Sequence, residues 1–366
     1  MIVSILIFLI VLSILVLIHE LGHFFVARRA GVWVEEFGFG LPPRVLGKKI
    51  GETIYSLNLL PFGGFVKLHG ESTDEGVTKP MRAFINQSKK VRVAIIVSGV
   101  VMNFLLAIAA FSIVYSFSGI PRKTDYVKIL ETVEGAPVQI VGVKTGDFIR
   151  EVDYIKITHV DQFIDLIEER KGKETILTIE REGELINFDI VPRVNPPQGQ
   201  APLGVIISSY ETYFPPIWQR PFLGVYHGFK EALFWGGTVI LGFAKIIRDL
   251  FSGIVPKDIA GPVGIYAVTS EAAKFGILAL VNFVGVLSVN LAVLNIIPFP
   301  ALDGGRIMFI GIETILGKKI LPKAEAITHT VGMIILMILI LAITAHDIQR
   351  LIAAGSVSGF IESILK

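Results

Sequence analysis

Four long stretches without a charged residue constrain this chain more than any other feature. Met1–Ile18 carries no charge, and its apolar character continues around His19, Glu20 and His23 as far as Arg28-Arg29. Val93–Pro121 is uncharged between Arg92 and Arg122, and Phe275–Leu302 between Lys274 and Asp303. Ala326–His346 lies between Glu325 and Asp347 with an apolar centre. About 20 apolar residues at 1.5 Å each cross a bilayer, so four transmembrane helices are predicted. Only 18% of residues are charged, against roughly a quarter in soluble domains. The first run lacks a basic start and a small-residue cleavage site, which favours a retained span over a signal peptide.

The loops set an orientation. Residues 28–92 hold many Lys and Arg, and nothing basic precedes the first span. The positive-inside rule therefore places this segment in the cytoplasm. Both termini and residues 122 to about 224 are then expected outside, and Arg306–Lys323 inside. A fifth apolar stretch, Ala232–Ala244, is too short to span, and is read as an amphipathic helix in the membrane interface. A net charge of +2 gives no support to a nucleic-acid partner; the predicted partners are the lipid bilayer and whatever the site acts on. With no cysteine in the chain, disulfides and thiolate sites are excluded, and a metal has only His and carboxylate to bind.

Between Arg122 and Pro197 the composition becomes that of a soluble domain. β-like runs occur at Tyr126–Leu130, Phe148–Val152, Thr175–Glu180 and Ile186–Val191, with one amphipathic helix at Asp161–Arg170. Near the cytoplasmic face, Thr53–Asn58 and Phe65–His69 read as a β-hairpin around Pro61, Gly63 and Gly64.

The chemistry lies in the first span. His19-Glu20-Leu21-Gly22-His23 is HExxH. On a helix, i and i+4 share a face, so both imidazoles can bind one Zn²⁺ while Glu20 serves as general base. A charge deep in a spanning helix costs on the order of 2.5–3.5 kcal/mol, which makes an idle cluster there expensive. Glu35 and Glu36 are nearby acids for the third ligand. Asp303 in "NIIPFPALDGGR" is the stronger candidate: it lies at matching depth toward the cytoplasmic end of its span. Gly304-Gly305 after it allow close backbone approach. His69, His159, His227, His329 and His346 read as surface or interfacial residues.

HExxH in the first span together with "NIIPFPALDGG" in a later one resembles the site-2 protease family of intramembrane zinc metalloproteases, and most nearly its bacterial regulator-of-sigma-E branch. "EFGFGLPPR" at 36–44, "LLPFGGFVKLHGE" at 59–71 and "GPVGI" at 261–265 are similar to that family's pattern. "GVKTGDFIREVDYIKI" and the segment after it resemble a PDZ domain, a module that captures peptide chain ends. "SGVVMN" in the second span departs from the family's usual Ala-Gly-Pro before Asn.

The resemblance implies a polytopic α-helical membrane protein of four transmembrane helices. It adds a membrane-associated β-hairpin on the cytoplasmic side and an inserted extracytoplasmic α/β PDZ-like domain. Residues 1–121 form the first membrane segment, 122–197 the PDZ-like domain, 198–253 a linker with the interfacial helix, and 254–366 the second membrane segment. It further implies zinc on His19, His23 and Asp303, Glu20 as catalytic base, and Asn295 with Asn290 toward the substrate. The implied reaction is cleavage of transmembrane segments such as anti-sigma factors or remnant signal peptides, in a bacterial cytoplasmic membrane. A zinc transporter and a silent PDZ scaffold are the rival readings.

Overall fold

In the computed structural model, residues 2–71, 77–197, 199–253, 260–317, 322–357 and 359–361 are described. Met1, the expected domain start at 254, residues 318–321 of the expected Arg306–Lys323 loop and the last five residues lie outside them. Two compact units emerge: one joins Met1–Phe117 to Ile217–Lys366, and the other is Ser118–Pro216.

The first unit is helical with one sheet. Helix α1 (Ile2–Arg29) leads into β1 (Val34–Ile50), β2 (Thr53–Leu68) and then α2 (Lys89–Ser118). Both strands bend and double back. Val34–Phe39 pairs on one side with Ile54–Leu57 and on the other with Gly64–Leu68, while Arg44–Ile50 covers Thr53–Asn58. The expected hairpin is therefore a four-run antiparallel sheet. Its long first strand escaped the sequence pattern because Gly38, Gly40, Pro42 and Pro43 read as strand breakers. Buried Phe24 and Ala27 at the end of α1, and Val32 just after it, pack with Leu68, Ile95 and Ile310.

The second unit holds β3 (Ile120–Thr132), a short α3 (Pro137–Ile140), β4 (Phe148–Val152), β5 (Ile155–Lys156), α4 (Val160–Glu169), β6 (Thr175–Arg181), β7 (Glu184–Ile190) and β8 (Val205–Tyr213). The antiparallel order is β7-β6-β4-β3-β8, with β5 pairing β4. Val127, Ile149, Leu177 and Ile179 from the sheet bury against Phe163 and Ile167 of α4. The unit outgrows the predicted 122–197 because β8, beyond the Pro196-Pro197 stop, pairs along β3.

The chain returns to the first unit through α5 (Arg220–Phe251), α6 (Pro262–Lys274), α7 (Ile277–Ile296), α8 (Asp303–Leu316) and α9 (Pro322–Ala354). Helix α5 runs 32 residues, well beyond the predicted Ala232–Ala244. Its Lys230-Glu231 does not end the helix, because Tyr115 and Trp235 donate to the Glu231 carboxylate at 2.9 and 3.0 Å. Ala232 packs with Ala107 and Phe111 of α2 and Val289 of α7. On α9, the buried Asp347 carboxylate accepts from the amides of Gly261 and Gly264, both at 2.9 Å, holding the start of α6. Among the described residues, Ile2–Arg29, Lys89–Ser118, Ile277–Ile296 and Ala324–Ala354 are long and apolar enough to cross a membrane. The predicted third span ends early: Ile297–Leu302 leaves the helix at Pro298 and Pro300, and Asp303 opens a new one.

Candidate metal centre

His19 and His23 stand one helical turn apart on α1, as the i,i+4 rule requires. Their Nε2 atoms are 3.2 Å apart and face Asp303 Oδ2 at 3.0 Å from His19 and 3.3 Å from His23. These are the separations of a tetrahedral edge: zinc bonds of 2.0–2.1 Å place neighbouring ligands roughly 3.3 Å apart. His23 donates its Nδ1 proton to the Ile95 carbonyl at 2.8 Å, which leaves Nε2 presenting a lone pair. Among the described residues, Asp303 Oδ2 is buried without a hydrogen-bond donor. Lone pairs converging in a buried site repel unless a cation lies among them. The donor set, two imidazoles and a carboxylate, suits zinc with a fourth position free.

Each ligand depends on close backbone packing. A Cβ added to Gly22 would sit 2.3 Å from the Ser98 carbonyl oxygen of α2. One at Gly99 would sit 2.5 Å from His23 Nε2 and 2.7 Å from His19 Cε1. The crossing of α1 and α2 therefore needs glycine on both helices, the small-residue contact of membrane helix pairs. On the other side, Gly304 and Gly305 fold back over the end of α7, with added Cβ atoms 2.1 Å from the Ile297 oxygen and 2.5 Å from that of Phe299. The close approach predicted for this pair is present. Ala301, just before, takes a left-handed φ of 81°.

Around this cluster stand two amides. Asn295 Nδ2 on α7 lies 3.5 Å from His19 Nε2. Asn103 on α2 is wholly buried; it meets His19 Nδ1 at 3.5 Å, and Ser288 of α7 donates to its backbone oxygen at 2.7 Å. Asn103 Oδ1 has no hydrogen-bond partner among the described residues. Turning that amide to offer Oδ1 to the Nδ1 proton of His19 satisfies both groups and leaves the His19 Nε2 lone pair facing His23 and Asp303. Asn290 instead donates to the Val286 carbonyl of its own helix at 2.9 Å.

Glu20 lies beside the sheet, where a Cβ at Gly64 would come 3.7 Å from its Cγ. The nearer acids are engaged elsewhere. Glu35 binds Lys67 at 2.9 Å and His69 at 2.7 Å, and Glu36 binds Arg44. Burial would raise the Glu35 carboxyl, but the Lys67 and His69 hydrogen bonds outweigh it and hold it below the usual range. His69, read from sequence as a surface residue, is buried and ties the sheet to residue 79, whose amide it accepts at 3.2 Å. Arg306, one turn after Asp303, pairs with Glu71 at the end of the sheet.

Gly99 as a packing residue and the Ile95 carbonyl had escaped sequence reasoning. One is an ordinary residue of an apolar run and the other a backbone atom; neither has a local signature, whereas Asn103 had entered only as the Asn that closes "SGVVMN". The second-span departure from Ala-Gly-Pro retains the one residue the packing demands, Gly99.

Residues 7–339 match peptidase family M50. A protein of Clostridium perfringens is 34% identical over 336 residues, 92% of this chain and 96% of its own. The regulator of sigma-W protease RasP of Bacillus subtilis is 27% identical over 427 aligned positions, 94% of this chain and 98% of its own. Among solved structures, the PDZ domain of an SdrC-like protein from Listeria monocytogenes is a neighbour at 23% identity, covering 23% of this chain and 87% of that one with a TM-score of 0.21. The chain belongs to peptidase family M50, the site-2 proteases, and is a zinc metalloprotease.

Proposed function

We propose that the protein is an intramembrane endopeptidase that cleaves transmembrane segments of single-pass proteins, with His19, His23 and Asp303 as zinc ligands and Glu20 as base. The convergence of the three ligand atoms within 3.3 Å of one another carries this reading. When bound, zinc lowers the pKa of a water to about 7 and polarises a carbonyl. Glu20 takes the proton of the attacking water and returns it to the amide nitrogen that leaves. Asn295 Nδ2 donates to the carbonyl oxygen as it gains charge, a contribution worth roughly 2.7–4 kcal/mol in comparable oxyanion sites. Asn290, bonded to its own helix, is the lesser candidate for a substrate contact.

A helical substrate hides its scissile carbonyl in an i→i−4 bond, and exposing backbone in hydrocarbon costs several kcal/mol per group. Gly64–Leu68 answers that need in this reading. It pairs with β1 on one side, has no strand on its other side among the described residues, and begins beside Glu20. An extended substrate adds there as a further strand. The site faces the cytoplasmic side, the inserted unit and both termini the other, and the PDZ-like unit receives a peptide chain end. Anti-sigma factors and remnant signal peptides are the substrate classes that follow.

The test is purified wild type and Glu20→Gln, in detergent, with single-pass membrane peptides and mapped cleavage products. Wild type is expected to cut inside the apolar segment. Glu20→Gln is expected to lose cleavage and keep stoichiometric zinc; a Gln variant that still cuts overturns the assignment.

A further inference from the structure

The connection between α7 and α8 leads directly into Asp303, the first residue of α8 and the one proposed ligand that does not come from α1, and it is strained. Ala301, two residues before Asp303, has a φ of 81°, a region that L-residues other than glycine rarely occupy. Such a conformation persists only where its surroundings over-determine it. Those surroundings come from α9. The Ala301 amide donates to His329 Nδ1 at 3.1 Å. Gly332, one turn further along the same face of α9, lies so close to Pro300 that an added Cβ would meet its Cβ at 2.4 Å and its carbonyl carbon at 2.6 Å.

We propose that His329 is a positioning residue for the metal centre: it grips the Ala301 amide and thereby sets the place of Asp303. The inference rests on the reading of His19, His23 and Asp303 as the metal set. The backbone amide can only donate, so His329 Nδ1 must be the acceptor and the ring's proton sits on Nε2. Among the described residues, Nε2 is buried without a hydrogen-bond partner, and the Glu325 carboxylate is 4.0 Å away. The Ala301 bond therefore sets the ring orientation. Phe309 of α8 flanks it, ring centres 5.8 Å apart. His19 and His23 are fixed within one helix and stay in place if this grip is lost, whereas Asp303, at the very start of α8, shifts with the connection that precedes it. The sequence offered no hint of this, because the residues concerned are 28 positions apart and meet only through the packing of α9.

The full-length protein tests this in detergent, with zinc retention against a chelator and the visible spectrum of the cobalt-substituted form as readouts. His329→Phe keeps the shape but not the acceptor. His329→Asn places an oxygen where Nδ1 was, and His329→Gln places it near Nε2. Phe and Gln are expected to weaken zinc binding by roughly 10- to 100-fold, as losses behind a metal ligand do, and to shift the cobalt bands. Asn is expected to restore both readouts. Gly332→Ala, which presses on Pro300 from the same helix, is expected to mimic Phe. Wild-type affinity and spectrum in the Phe variant, or equal rescue by Gln and Asn, overturns the proposal. If Phe unfolds, the Asn–Gln difference in zinc retention decides. His23→Ala and Asp303→Ala stand as separate controls: retention of wild-type zinc in both would sink the metal set itself, a result distinct from failure of the His329 grip.

Discussion

Gly99 leaves no room for a methyl group, and that makes it the most informative single position outside the ligands. A Cβ 2.5 Å from His23 Nε2 must move either the ring or the backbone of one helix, since both neighbours are rigid. Gly99→Ala is expected to strip zinc and to slow cleavage by at least ~10²-fold, the scale of a misplacement near 1 Å. Metal analysis beside a cleavage assay reads both; full zinc occupancy with normal turnover would show that α2 can retreat. At this scale legibility divides sharply. The meeting of His19 and His23 was readable because the i,i+4 spacing puts both rings on one helix face. Asp303 was singled out as the acid that follows a spanning run, although the structure ends that helix at Ile296 and lets Asp303 open a new one. Asn103 was legible only as part of a motif, and Gly99 and His329 not at all, since each acquires its meaning from a residue on another helix.

Between helices and strands, two ties hold the site in register. Arg92 at the start of α2 and Glu313 on α8 form an ion pair at 2.8 Å, each side chain 4% exposed. Removing one partner of such a buried pair strands the other charge and costs about 3–5 kcal/mol, whereas a well-packed apolar replacement of both is often neutral. Glu313→Leu is therefore expected to lower the unfolding midpoint in detergent strongly, and Arg92→Met/Glu313→Leu to recover most of it. An additive double variant would deny the pairing its energetic role. The sheet is the other tie, and its edge run Gly64–Leu68, open on one side among the described residues, is where the reading of substrate addition is exposed to refutation. Val66→Pro removes an amide from that run; membrane-peptide cleavage is expected to fall while zinc content stays whole, and unchanged cleavage would dismiss strand addition. The sequence pattern found the β2 half of this sheet. It missed β1 because glycine and proline punctuate that strand at its bends, the positions where local propensity argues against a strand while pairing on both sides supports one.

Across the whole molecule, the division into a membrane-type unit and an inserted unit separates two kinds of stability. The unit Ser118–Pro216 has its own buried core and its own charge ties. Arg181 grips the nearly buried Asp147 at 2.9 and 2.7 Å, and Arg170 binds Asp153. Burial would raise the Asp147 carboxyl, yet the Arg181 hydrogen bonds prevail and lower it; at Asp153 the Arg170 hydrogen bond lowers it directly. Both carboxyls thus titrate lower in the folded unit than in the unfolded chain, whose aspartates sit near pH 3.9. The stability they lend is fully present above that pH and drains away as acid carries the solution down through the folded values. Residues 118–216 expressed alone are expected to melt cooperatively, with a midpoint that is flat from pH 7 to about 5 and falls below about pH 4. Asp147→Asn is expected to lower the midpoint at pH 7 and to flatten the acid limb, because the proton-linked part of the stability is already gone. A wild-type midpoint that rises on acidification would reverse the sign of the argument and show that these carboxylates are strained rather than held.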